Sequence, residues 1–216
     1  IGIFRLILVI VDFTFVVYMI PGMFGAPLKA ISGYLPPIET QDFIIGSYQS
    51  PAVSNANENA ATANDKSTFK LPYGLKGFSS LDEGLKEAAK VGKPVFVDIT
   101  GFGCTNCREM EARVWSDPKV LSMLQNDFII VALSTDDKTK IPENERIKDE
   151  NGKVLKDYGR LNSYIVRTKF GVNAQPNYAI LSPNGIQLVP IRGYNLNIDG
   201  FVKFLQSGLD SFNSNR

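Results

Sequence analysis

The 216-residue sequence contains no histidine. That absence removes the usual general base, the Ser/His and Cys/His nucleophile pairings and the commonest metal ligand. Cysteine is nearly as scarce. Cys104 and Cys107 are the whole supply, too few for a small secreted scaffold held by several bridges. A charge surplus is missing too: 23 basic against 22 acidic residues give a formal +1. Without a basic excess there is no electrostatic footprint for nucleic acid, so none is expected as a partner. What remains is an ordinary globular composition, 44% hydrophobic and 21% charged. The length suits one domain with a core plus an appendage.

The appendage stands at the front. Residues 1–25 read IGIFRLILVIVDFTFVVYMIPGMFG, and only Asp12 and Thr14 interrupt the apolar run from Leu6 to Ile20 before Pro21-Gly22 offers a stop. About 20 helical residues at about 1.5 Å each cross a hydrocarbon core of about 30 Å, so a transmembrane helix is expected over residues 1–25. Arg5 can snorkel at one end. Asp12, near the middle, costs about 2.5–3.5 kcal/mol on insertion scales. A lone anchor gains nothing from it, whereas a helix packed against other spans can use it. The preferred reading is therefore the last span of a polytopic protein. A signal peptide and a buried core helix are the alternatives, the second disfavoured by a segment apolar on all faces. The chain opens on Ile1 rather than Met, as expected of a processed product or of a piece of a longer protein. Arg5 ahead of the span favours the cytoplasmic side, which leaves the remainder extracytoplasmic.

Residues 26–66 read as a linker: Pro27, Pro36 and Pro37 come first, then YQSPAVSNANENAATANDK over 48–66. Hydrophobic periodicity vanishes there, as in a flexible tether that raises the effective concentration of what it carries. A globular pattern begins at Ser67. Ser80-Leu-Asp-Glu83 is a capping-box candidate ahead of a helical stripe of Leu81, Leu85, Ala88 and Ala89, closed by Gly92. Val95–Ile99, Phe128–Leu133 and Tyr178–Leu181 read as buried strands. Asn184-Gly185 predicts a hairpin turn into a strand over Ile186–Ile191. A last helix is expected over Asp199–Phe212, with Phe201, Phe204, Leu205 and Leu209 on one stripe. Strands alternating with helices, then a terminal hairpin, indicate an α/β domain with a mixed sheet over residues 67–216.

The chemistry concentrates in Asp98-Ile-Thr-Gly-Phe-Gly-Cys104-Thr-Asn-Cys107-Arg-Glu-Met-Glu111. A strand ends, a Gly-rich turn follows, and the first cysteine falls where a helix begins. Unpaired N–H groups and the helix dipole stabilise a thiolate there, lowering a thiol pKa from about 8.5 to about 7 or less. Cys104 is expected to be the exposed nucleophile and Cys107, one turn on, the shielded resolving thiol. A structural bridge and a zinc half-site are the competing readings. The first adds little constraint over so short a loop. The second lacks further Cys or His ligands and would need carboxylates. No metal or organic cofactor is required.

The segment KPVFVDITGFGCTNCREMEARVWSDPKV resembles a thioredoxin-like domain, in particular the C-terminal domain of DsbD-type thiol:disulfide interchange proteins. The preceding span with Leu35-Pro36-Pro37 is similar to the end of that family's membrane domain. The resemblance implies a thioredoxin-like α/β fold and several residue roles. Asp98, six before Cys104, matches the buried acid that assists deprotonation of the second cysteine, and Glu111, four after Cys107, matches a carboxylate that tunes the pair. Surface or capping charges are the plainer reading of both. Gln175-Pro176 matches the cis-proline facing the CxxC, where the Gln175 backbone would pair with a substrate strand; a simple strand-entry proline is the alternative. Gly103, Thr105 and Asn106 would complete the substrate-binding rim. Here the chain departs from the pattern: Gly103 replaces a common tryptophan, Thr105-Asn106 differs from thioredoxin's Gly-Pro, and a polar insertion runs from Asp136 to about Tyr158. A surface hairpin with a docking edge and a neutral decoration are both open for that insertion.

The function so implied is a membrane-tethered protein-disulfide reductase at the bacterial inner membrane, its domain on the periplasmic side. The electron donor would be a cysteine pair in an upstream membrane domain. The acceptors would be oxidised periplasmic thioredoxin-like proteins, including carriers that serve cytochrome c biogenesis. A tethered oxidase or isomerase shares every residue and differs in redox poise. A non-enzymatic docking module with a structural CxxC is the rival from another class.

Overall fold

The computed structural model describes residues 2–23, 28 and 68–214. The linker expected over 26–66 lies, Leu28 apart, outside the described residues. The apolar run forms helix α1 (Ile3–Met23), 21 residues long with none buried. Among the described residues it is the helix long and apolar enough to cross a membrane. Its lack of burial corrects the core-helix alternative. The Thr14 hydroxyl donates to the Ile10 carbonyl at 2.7 Å, which hides a polar group on an apolar cylinder. Pro21 sits inside the last turn rather than past the end; a proline there forfeits a single helical hydrogen bond.

From Thr68 onward the chain builds one six-stranded mixed sheet in the order β1-β2-β4-β3-β5-β6. The strands are β1 (Thr68–Lys70), β2 (Lys76–Phe78), β3 (Val95–Thr100), β4 (Ile129–Ser134), β5 (Asn177–Leu181) and β6 (Arg192–Gly193). β3 runs parallel to β4 and antiparallel to β5. Helices α2 (Leu81–Val91) and α5 (Tyr158–Phe170) cover one face, and α4 (Pro118–Asp127) and α6 (Ile198–Ser214) cover the other together with α3 (Thr105–Met110).

Strand alternation sorts the core. Val95, Val97 and Ile99 of β3 join Val131, Leu133, Val166 and Phe170 on the α2/α5 face. Phe96 points the other way, into Trp115, Phe128, Tyr178 and Phe201. Its ring stacks on Tyr178 at 5.6 Å and meets Trp115 edge-on at 5.9 Å. By the same period of two, Asp98 and Thr100 belong to this second face.

Several local expectations need correction. Ser80 does occupy the N-cap of α2, but its side chain makes no capping hydrogen bond. The buried stripe of α2 is Leu81, Gly84 and Ala88, with Ala89 exposed. Gly84 is there because a Cβ would lie 2.1 Å from a Val131 methyl, so its absence lets α2 close on β4. The turn at Gly185, φ 76°, forms as expected. No strand over Ile186–Ile191 follows, only a bridge from Leu181 to Gln187 and then β6 at Arg192–Gly193. Pro190 has no N–H to give a ladder, and pairing resumes beyond it. The insertion after β4 forms a hairpin-like excursion bridged at Lys140–Asp157 and Lys148–Val154, turning at Gly152.

Candidate active site

Cys104 is the N-cap of α3, and Cys107 lies one turn in. The two are joined in a disulfide with Cα atoms 5.2 Å apart. The Gly101 carbonyl accepts from the Cys104 N–H at 3.2 Å, closing the Gly-rich turn. The Cys104 carbonyl accepts the N–H groups of Cys107 and Arg108, and the Cys107 N–H also points at the Cys104 sulfur, 3.1 Å away. The placement of a sulfur over the first-turn amides is therefore as the sequence predicts. The expectation that Cys104 is exposed is not met. It keeps 6% of its surface and Cys107 2%, because the bridge folds the Cys104 sulfur back against the turn. Gly103, Thr105 and Asn106 are exposed around it, and the Phe102 ring is 58% exposed.

Beyond Met110 the helix widens by one residue per turn over Glu111–Trp115, and all but Arg113 of that segment is buried. Glu111 is 6% exposed and accepts from the Arg108 guanidinium at 2.7 Å. The same Arg108 nitrogen donates to the Thr100 hydroxyl at 3.3 Å, tying the helix to the end of β3. Asp98 is 1% exposed, and its Oδ1 has no hydrogen-bond partner among the described residues. Burial pushes its carboxyl up to about 7, against the pull of the Arg108 guanidinium. Burial also pushes the Tyr178 hydroxyl well above its ordinary value, with Asp98 and Glu111 adding to the rise. Asp98, Arg108, Glu111 and Tyr178 thus form one buried electrostatic cluster beneath the helix that carries the disulfide.

The Gln175–Pro176 bond is cis. Pro176 is buried, while Gln175 is half-buried and accepts from the Thr135 hydroxyl at 2.5 Å. A Cβ on Gly101 would lie 2.6 Å from the Gln175 amide nitrogen, so Gln175 packs directly on the turn that leads to Cys104. Sequence reasoning missed two members of this neighbourhood. Arg108 reads as a surface charge after a cysteine, with only the i,i+3 spacing to Glu111 as a signal. Asp136 reads as the start of the insertion. Its two carboxylate oxygens accept from the Phe102 and Gly103 N–H groups, each at 2.8 Å.

A mixed sheet with β3 central, a CxxC bridge at a helix N-cap and a cis-proline ahead of β5 define a thioredoxin-like fold. Residues 78–183 match a family described as thioredoxin-like. Over 63 residues, 29% of this chain, the sequence is 32% identical to the thiol:disulfide interchange protein DsbD of Ralstonia nicotianae, and the match spans about a tenth of that protein (10%). Solved structures similar to the chain include a DsbH oxidoreductase, at 16% identity and TM-score 0.45 over 72% of this chain and 95% of that one. A thioredoxin from Thermus thermophilus is 22% identical at TM-score 0.41, over 58% and 81%.

Proposed function

We propose that the chain is a membrane-tethered protein-disulfide reductase, with α1 as a span, 26–66 as linker and 67–216 as the thioredoxin-like domain. The observation that carries this reading is the Cys104–Cys107 bridge at the N-cap of α3, set above a buried carboxyl whose proton affinity lies near neutrality. The reductive direction rests on the partial likeness to the DsbD protein. In the reduced state the Cys104 thiolate attacks one sulfur of a substrate disulfide, and the substrate's other sulfur leaves as a thiolate. Asp98 takes the proton of Cys107, whose thiolate then attacks Cys104 and releases the second substrate sulfur. Two electrons pass from the dithiol to the substrate, and the Cys104–Cys107 disulfide is regenerated. Gly103, Thr105, Asn106 and the Gln175–Pro176 backbone form the rim that receives the substrate strand. Glu111 acts through Arg108 on the charge balance around Asp98. A cysteine pair in an upstream membrane domain returns the electrons, and oxidised periplasmic thioredoxin-like proteins accept them.

The test is the redox potential of the full chain in detergent micelles, read by alkylation and mass after equilibration in thiol/disulfide buffers. A value about that of thioredoxin, about −270 mV, or modestly above it, is expected of an electron donor. A value close to the strong-oxidant level of about −120 mV overturns the reductive direction and assigns an oxidase or isomerase. A bridge that never exchanges overturns the enzyme reading altogether.

A further inference from the structure

Asp136 is an acidic side chain that bonds the turn delivering Cys104. Both of its oxygens accept main-chain N–H groups, from Phe102 and from Gly103, at 2.8 Å. Gly103 is the residue immediately before the nucleophilic position. Around this pair the packing is close: a Cβ on Gly101 would stand 3.0 Å from Asp136 Oδ1 as well as against Gln175. The neighbouring Thr135 is fixed by its N–H to the Thr100 carbonyl at 2.9 Å and by its hydroxyl to Gln175. The exposed carboxylate is therefore held by the two N–H groups of the turn, while Thr135 beside it ties the loop after β4 to the end of β3 and to Gln175. Of the charged groups next to it on the loop after β4, Asp137 accepts from the Thr139 N–H at 2.8 Å and Lys138 is exposed to solvent. Arg108 faces Glu111 and Thr100, Glu109 faces Arg113 and Tyr194, and Asp98 is buried within the sheet layer.

We infer that Asp136 is a positioning residue that both fixes the 101–103 turn and holds the Cys104 sulfur toward its protonated, strongly reducing form. Two physical effects act in the same direction. A negative charge beside a thiol disfavours the thiolate. A carboxylate that occupies the Phe102 and Gly103 N–H groups also withholds them as donors to the thiolate. A less stabilised thiolate means a less stabilised dithiol, so the disulfide is favoured and the couple is more reducing. The inference rests on the proposed thiol–disulfide exchange at Cys104, but not on its direction in the cell.

The experiment equilibrates the full chain, in detergent micelles, with glutathione, in which two reduced glutathiones and the protein disulfide give the dithiol and oxidised glutathione. The Cys104 pKa is read in parallel from thiolate ultraviolet absorbance. Asp136→Asn is expected to lower that pKa and to shift the equilibrium about three- to tenfold toward the dithiol, an effect that shrinks at about 1 M salt. Asp136→Glu, which keeps the charge, is expected to stay within about twofold of the unaltered chain. If Asp136→Asn moves neither quantity, or Asp136→Glu moves them as far as Asp136→Asn, the inference is overturned. The absolute potential of the unaltered chain tests the reductase reading, and the ratio between variant and unaltered chain tests this one, so either can fail alone.

Discussion

The two faces of strand β3 carry different kinds of chemistry on the same six residues. Toward α2 and α5 the strand presents Val95, Val97 and Ile99, all fully buried among aliphatic neighbours. Toward α3, α4 and α6 it presents Phe96, Asp98 and Thr100, and a buried ion pair and an aromatic cluster meet them there. The first face gains from every apolar square ångström removed from water. The second face gives up part of that gain. An aspartate at 1% exposure with an orphaned oxygen, and an arginine whose buried Nε has no partner among the described residues, are costs that packing alone would not introduce. Such costs gather where a reaction needs a titratable group out of water. The disulfide sits over the second face, so one side of the strand is aliphatic core alone while the other joins an aromatic core to the reactive groups.

The contrast breaks most sharply at the buried ion pair. Arg108→Met takes the guanidinium from beside Glu111 while keeping much of the side-chain volume. Removing one partner of a buried pair is expected to cost about 3–5 kcal/mol. It also pushes the Asp98 carboxyl further up, since Arg108 is the group that pulls it down. Denaturant unfolding followed by Trp115 fluorescence measures the loss, because Trp115 is the single tryptophan and is fully buried next to the site. A loss under about 1 kcal/mol would mean the pair behaves as a surface bridge.

Asp98→Asn is expected to act with the opposite sign. The folded carboxyl titrates at about 7 against an ordinary 3.8, so the folded state holds a proton that the unfolded state has lost between those values. Stability contributed by the protonated form is complete below about pH 4 and is lost by about 1.4 kcal/mol per pH unit as pH rises to about 7. Asparagine removes that slope. The variant should match the unaltered chain near pH 4 and exceed it by up to about 4 kcal/mol at pH 8, as read by unfolding of the oxidised protein. Turnover should fall by about ten- to a hundredfold at neutral pH, because Cys107 loses its proton acceptor. Equal pH slopes in the two proteins would remove Asp98 from the titrating cluster.

What the sequence made legible follows the same division. Cys104, Cys107, Asp98 and the 175–176 peptide lie in short local patterns, a strand running into a Gly-rich turn and a proline before a strand. The N-cap position of Cys104 follows from the first of these patterns, whereas a buried Asp98 and a cis bond before Pro176 were implied only by the family resemblance, and the expected exposure of Cys104 is not met. Asp136 was not legible because its partners, Phe102 and Gly103, lie 34 and 33 residues away and meet it only when β3 and β4 pair in parallel. Arg108 reaches Thr100 as well as Glu111, a contact made when α3 packs against the end of β3, which no periodicity in the sequence announces. The short β6 was misplaced for a local reason, the missing N–H of Pro190. The burial of Cys104, at 6% exposure, is likewise something the residue pattern leaves open.

The smallest expected effect is the sharpest control on the comparison. Ile99 is adjacent to Asp98 in the chain but fully buried on the aliphatic face. Ile99→Val removes one methylene without adding a polar group or a charge. It should cost about 1 kcal/mol of unfolding free energy at every pH, since no titration is involved. The glutathione equilibrium and the Cys104 pKa should stay within about twofold of the unaltered chain, because nothing in the electrostatic cluster has moved. A strand is stiff along its length, and a shift of its backbone would be felt on both faces. If Ile99→Val changes the redox equilibrium as much as Asp136→Asn does, the two faces are mechanically coupled. The division of β3 into an aliphatic face and a reactive one would then be wrong. A pH-independent loss with an unchanged equilibrium places the tuning of Cys104 and Cys107 in the charged groups alone.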